Sequence, residues 1–208
     1  LSHDYEDFKF DTIVTHVVEP GQDLTTVDKK ARWVNCTHGS KKNYDLSQRY
    51  LELIDHMHIM SEWQLSNPEK GGVKDPSKVV LLGHGVDTNL FKPTGNRDSD
   101  CVWHGRISDE KQILPFSRYF EDQCPDKMLY IIGGPDHPVH VRGWKQPKNV
   151  GMCGRLFDNI LADNLSAHEN YVLPSRYETF CAALVEGIAC CGKAYANYHD
   201  SMEWAKDV

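Results

Sequence analysis

Two glutamates, Glu178 and Glu186, lie eight positions apart in SRYETFCAALVEGIACCGK, a run otherwise rich in apolar residues. A carboxylate among Ala182, Ala183, Leu184, Val185, Ile188 and Ala189 is costly to bury unless a partner meets it. On a helix, eight residues turn about 800° and rise ~12 Å, so the two acids would look out on roughly one side while standing well apart. The flanking residues put Glu178 in a loop and Glu186 in the second turn of the helix that follows. Such a gap is too wide for two carboxylates working on one bond, which stand ~5–9.5 Å apart. It suits a grip on two hydroxyl-bearing groups of one extended ligand, such as the ribose and hexose of a sugar nucleotide. Each carboxylate oxygen can accept a hydrogen bond from a hydroxyl.

Between two such sugars lies a diphosphate, which needs positive charge and amide donors. The segment HGRISDEK supplies Arg106 and Lys111, on a loop that leaves a strand and approaches a helix. An arginine can fork two phosphate oxygens, while a lysine acts as a point charge. The first amides of a helix spanning Phe180–Cys190 add donors and a favourable dipole. Taken singly, Arg106 and Lys111 are ordinary surface charge and Glu186 is a partnered core acid. Their joint occurrence in adjacent β-α units is what favours a binding site.

The elements that must position these residues follow from short β-like runs alternating with helical ones. DTIVTHVV (Asp11–Val18), ARWVNCTHG (Ala31–Gly39), HMHIMS and KVVLLGHGV (Lys78–Val86) are strand candidates, with YDLSQRYLELI (Tyr44–Ile54) helical between the second and third. Asn89–Asp100, with Pro, Gly and clustered charge, has the composition of a linker. The rhythm then restarts with strands at CVWHGR, KMLYIIGGP, NVGMCGRL, ENYVLPS and KAYANY. Helices are expected at ILPFSRYFEDQC, FDNILADNLSAH and FCAALVEGIACC. Such alternation predicts parallel sheets in two α/β lobes, residues 1–92 and 93–208. Ligands of parallel sheets bind where strand carboxyl ends, loops and helix N-termini gather. The turns at Gly105-Arg106, Gly133-Gly134 and Ser175–Glu178 should therefore line one crevice.

The 208 residues, about 40% hydrophobic and 25% charged, describe a globular protein, and the formal charge of −7 gives no global help to a polyanion-binding surface. No apolar run approaches the ~18–20 residues of a membrane span, and LSHDYEDFKF has no cationic-then-apolar start. The seven cysteines are odd in number, irregularly spaced and without a C-x-x-C pair, which fits reduced core thiols better than zinc. The eleven histidines include HMH and HPVH but lack a supporting cluster, so no metal is expected.

In this order along the chain, GHGVDTNLFKP, VWHGRISDEKQ, LYIIGGP, KNVGMCGRL and PSRYETFCAALVEGIACCGK together resemble the landmarks of retaining glycosyltransferases of the GT-B fold, family 4 in particular. The last run resembles that family's E-x7-E signature. The resemblance implies two Rossmann-like lobes, the first incomplete in this chain and the second shortened after Val208. It implies that Arg106 and Lys111 hold a donor diphosphate, that Glu186 holds the ribose hydroxyls and that Glu178 faces the donor sugar. Thr179, Phe180 and Cys181 stand where the family has amides near sugar and phosphate, and Gly154, Arg155 and Leu156 where it contacts the base. FDTIVTHVVEP puts His16 at the position of an active-site histidine, and VNCTHGS matches the next strand and its histidine, His38. A histidine at a strand end without a catalytic part is the alternative for both. Three departures stand out: Cys181 replaces the usual glycine, Gln112 follows Lys111 in place of glycine, and His84 stands where asparagine is common.

The function so implied is hexosyl transfer, with retention, from a UDP- or GDP-linked sugar to a hydroxyl of a glycan, lipid or small molecule. No cofactor or metal is implied. A cytoplasmic location, free or peripheral to a membrane, fits the thiols. Two alternatives keep the fold: a phage-type DNA glucosyltransferase, against which the net charge argues mildly, and a sugar-nucleotide-binding protein without turnover.

Overall fold

A computed structural model describes residues 10–16, 31–36, 52–62, 75–199, 202, 204 and 205. The chain divides into two compact units, Leu1–His84 with Asp200–Val208 and Gly85–His199. Among the described residues of the first unit, β1 (Thr12–His16), β2 (Arg32–Cys36), β3 (His56–Ile59) and β4 (Val79–Leu81) form one parallel sheet in sequence order. Trp33, Met57 and Ile59 fill its buried positions. Thr15 Oγ1 ties neighbouring strands by accepting from Trp33 Nε1 at 3.0 Å and from buried Asn35 Nδ2 at 2.8 Å. All four strands fall inside the expected runs. The expected helix lies mostly outside the described residues, as does His38.

The second unit is a five-stranded parallel sheet. Its strands are β5 (Asp98–Ile107), β6 (Leu129–Pro135), β7 (Val150–Gly154), β8 (His168–Leu173) and β9 (Lys193–Ala196), ordered β7-β6-β5-β8-β9. Three helices connect them: α1 (Ile113–Gln123), α2 (Asp158–Ser166) and α3 (Ala182–Cys190). The chain steps outward from β5 through β6 to β7, then returns to place β8 on the other side of β5. The reversal makes the β5/β8 junction a topological switch point, the place where open α/β sheets bind ligands.

The central strand explains the order. Cys101, Val102, Trp103 and His104 are all buried, as a strand covered on both faces requires. Trp103, Ile107, Leu129, Ile131 and Val150 pack with Ile113, Leu114 and Phe120 of α1 in one apolar cluster. The buried residues of α1 recur at the spacing of one helical face. α3 packs on β8 through Gly187, where a Cβ would lie only 2.5 Å from the Tyr171 ring. The start of the expected linker is irregular, but Asp98–Asp100 already belong to β5, which runs on past Gly105 to Ile107. α3 begins at Ala182, two residues later than expected.

Candidate functional site

The strand ends bring the expected turns together. Gly105 pairs with Gly133 and Arg106 with Gly134 across β5 and β6. A Cβ on Gly133 would sit 1.9 Å from the Gly105 carbonyl oxygen, so this approach admits only glycine. The loop after β8 is bound to the loop after β5 by a backbone hydrogen bond, Arg176 N–H to Glu110 O at 2.8 Å. The β5 and β8 turns thus share one edge of the sheet at the switch point.

Glu178 is 5% exposed and meets Lys111 head-on, with Nζ donating to Oε1 at 2.8 Å and to Oε2 at 2.7 Å. A carboxylate so buried needs such a cation, and removing one partner of a buried pair typically costs about 3–5 kcal/mol. Lys111 reaches it from the end of a short 3-10 turn, Asp109–Lys111, that leads into α1. Glu186 sits in the second turn of α3 and is only half-buried. Its Oε2 lies 2.6 Å from Nε2 of His104, a buried residue near the end of β5. Arg106 is exposed, with Nη2 3.0 Å from Glu110 Oε1 and Nε 3.3 Å from Asp136 Oδ2. Its guanidinium is thus flanked by acids from its own loop and from the turn after β6.

The two departures at glycine positions have a common cause. Cys181 caps α3 at φ 71°, and Gln112 precedes α1 at φ 53°, both in the left-handed region. Glycine enters that region without the Cβ penalty of other residues. Neither N-cap residue adds a side-chain cap hydrogen bond by distance, and the Leu184 and Val185 amides of α3 donate to the Cys181 carbonyl at 3.0 and 3.4 Å. Burial pushes the Cys181 thiol up to about 12, and the Glu178 charge adds to the rise. The thiol is therefore neutral at physiological pH and no nucleophile. Phe180 is buried beside it, and Thr179 is half-buried.

Gly154 ends β7 at φ 70°, and the exposed Arg155 donates through Nη2 to Pro135 O at 3.2 Å. Arg155 also lies against Gly134, where a Cβ would come within 3.0 Å of Nε. Gly154, Arg155 and the half-buried Leu156 thus border the turn after β6. His16 ends β1 in the first unit, exposed and in register with Cys36. The residue-type reading missed His104, Glu110 and Asp136. A histidine in the centre of VWHGR, flanked by Trp and Gly in a doubly buried strand, was the available signal. Among the described residues no group of three His, Cys, Asp or Glu side chains could hold a metal, and no helix is long and apolar enough to cross a membrane.

No protein-family model and no curated protein sequence matches the chain. Solved structures do. Sucrose-phosphate synthase from Thermosynechococcus elongatus superposes with a TM-score of 0.65 at 20% identity, over 84% of this chain and 52% of its own. Anabaena HepE, solved in complex with UDP and glucose, gives 0.65 at 14% identity over 83% of this chain and 54% of its own. A mutant of S. aureus TarM in complex with fondaparinux, alpha-GlcNAc-glycerol and UDP gives 0.67 at 14% identity, over 85% and 39%. The chain therefore spans about half or less of the length of these three proteins. With its two parallel sheets, its architecture is α/β of the GT-B type.

Proposed function

We propose that the chain forms the donor-binding part of a nucleotide-sugar-dependent glycosyltransferase, of the kind found in family 4. It would pass a hexosyl group to an acceptor hydroxyl with retention. The observation that carries this reading is the convergence of Lys111, Glu178 and Glu186 at the β5/β8 switch point, with Arg106 on the same strand end.

In this reading the donor diphosphate lies between the β5 turn and the start of α3. Lys111 has three N–H donors, of which Glu178 takes two, so one is left for a phosphate oxygen. Arg106 adds a second cation as the ligand competes for it with Glu110 and Asp136. The first amides of α3 complete the set, and catalysis is largely electrostatic stabilisation of the departing diphosphate, without a metal. That phosphate takes the acceptor proton. Glu178 faces the donor sugar, Glu186 takes the ribose, and Thr179, Phe180 and Cys181 line the turn between them. Gly154, Arg155 and Leu156 border the base, and His16 is the candidate catalytic histidine. A UDP-linked donor is favoured over a GDP-linked one because HepE and TarM were solved with UDP. The acceptor is a glycan, lipid or small molecule, and seven free thiols accord with a reducing, cytoplasm-like compartment.

The test is a thermal-shift screen of UDP-, GDP- and ADP-sugars followed by transfer assays. A bound donor raises the melting temperature. Arg106→Ala and Glu186→Ala are each expected to lower kcat/KM at least tenfold. Transfer untouched by both substitutions would sink the assignment, and binding without transfer or hydrolysis would favour a non-catalytic receptor.

A further inference from the structure

His104 is 7% exposed, on the central strand, and its ring lies 5.6 Å from that of Tyr171 at an interplanar angle of 60°. Its Nδ1 is buried without a hydrogen-bond partner, while Nε2 lies 2.6 Å from Glu186 Oε2. A phenylalanine would fill the same space without desolvating two ring nitrogens. The one polar gain of having histidine here is therefore its contact with Glu186. For that contact to be a hydrogen bond to a carboxylate, Nε2 must carry a hydrogen and donate it. Among the described residues Glu186 has no other hydrogen bond, so Oε1 remains for a ligand.

We infer that His104 is a positioning residue for ribose recognition: its Nε2–H holds Glu186 in one rotamer and leaves Oε1 to a furanose hydroxyl. The inference rests on the reading of this edge as a nucleotide-sugar site. Held by one oxygen, the Glu186 side chain loses its rotamer freedom before the ligand arrives, so ordering it no longer weakens binding. The ligand class that benefits is a nucleoside diphosphate with an intact ribose. A nucleotide without the ribose hydroxyls has nothing to gain from the arrangement.

The experiment is calorimetric titration of the full chain with UDP and with 2′,3′-dideoxy-UDP, for the wild type, His104→Phe and His104→Gln. The expected result is about tenfold weaker UDP binding by His104→Phe, with dideoxy-UDP binding unchanged. His104→Gln, whose amide can still donate to Glu186, should recover most of the loss. Should the phenylalanine variant not fold, His104→Asn, whose amide is too short to reach Glu186, carries the same comparison. Equal weakening of both nucleotides would reduce His104 to a packing role and overturn the inference, as would unchanged UDP binding. A wild-type chain that binds dideoxy-UDP as tightly as UDP would refute ribose recognition while leaving the diphosphate site intact. A wild-type chain that binds neither would remove the donor-site reading itself.

Discussion

Cys181 and Gln112 both carry a side chain into the left-handed region, at the two turns that enter α3 and α1. At an ordinary buried position, glycine is worse than alanine because it frees the unfolded backbone and packs nothing. At φ 71° and φ 53° the order should invert, since alanine keeps the Cβ strain and glycine removes it. Cys181→Gly is expected to be more stable than Cys181→Ala by about 1 kcal/mol, and Gln112→Gly more stable than Gln112→Ala by a similar amount. Urea unfolding of the four variants checks both pairs, and alanine proving the more stable at either site would contradict the strain argument. The departures from glycine were visible in the sequence, but not their cost, because a backbone dihedral is set by how the turn closes over Lys111 and Glu178. The pairing of those two residues was equally hidden. They are sixty-seven positions apart, and only the order β5-β8 makes them neighbours.

At the scale of elements, the α3–β8 contact is a tight constraint on the site. Gly187 touches the face of Tyr171, which is fully buried and cannot move aside. Gly187→Ala should therefore lift α3 from the sheet, costing about 1–3 kcal/mol by overpacking and drawing Glu186 away from His104. Denaturation together with donor affinity measures both effects; unchanged stability would mean that the helix has slack the geometry does not reveal. The succession of strands and helices in this unit was legible, because buried parallel strands announce themselves as apolar runs and α1 as a one-faced helix. The short 3-10 turns at Asp109–Lys111 and Pro138–Val141 were not, since three or four residues carry no periodicity. His104 was passed over for a related reason. A lone histidine in a strand has no pattern until a helix from eighty residues later covers it.

For the molecule as a whole, the cysteines set an upper pH limit. All seven are free, and burial pushes Cys101 and Cys190 up to about 11 and Cys181 and Cys191 up to about 12, from 9.0. An unfolded thiol releases its proton near pH 9 while the folded one keeps it, so the native state binds more protons between pH 9 and 12. Stability is then full below pH 9 and falls as pH rises through that window, by about 1.4 kcal/mol per thiol per unit of separation. Melting curves from pH 7 to 11 should show a flat region followed by a steep decline, and replacing the four thiols with alanine should flatten the decline. A profile that stays level to pH 11 would mean that these sulfurs are accessible in the native state. The α/β fold class was legible from the alternation of strand-like and helical runs, and the two parallel sheets match it.

The backbone hydrogen bond from Arg176 to Glu110 has a consequence for how a ligand is felt. It joins the turn that carries the cations to the turn that carries Glu178. Whatever quiets the motion of one turn quiets the other, so the entropy of ordering them is lost once for the pair. On the proposed reading, a diphosphate alone would then leave the sugar side already composed. Two halves of a substrate, offered separately, would each help the other to bind.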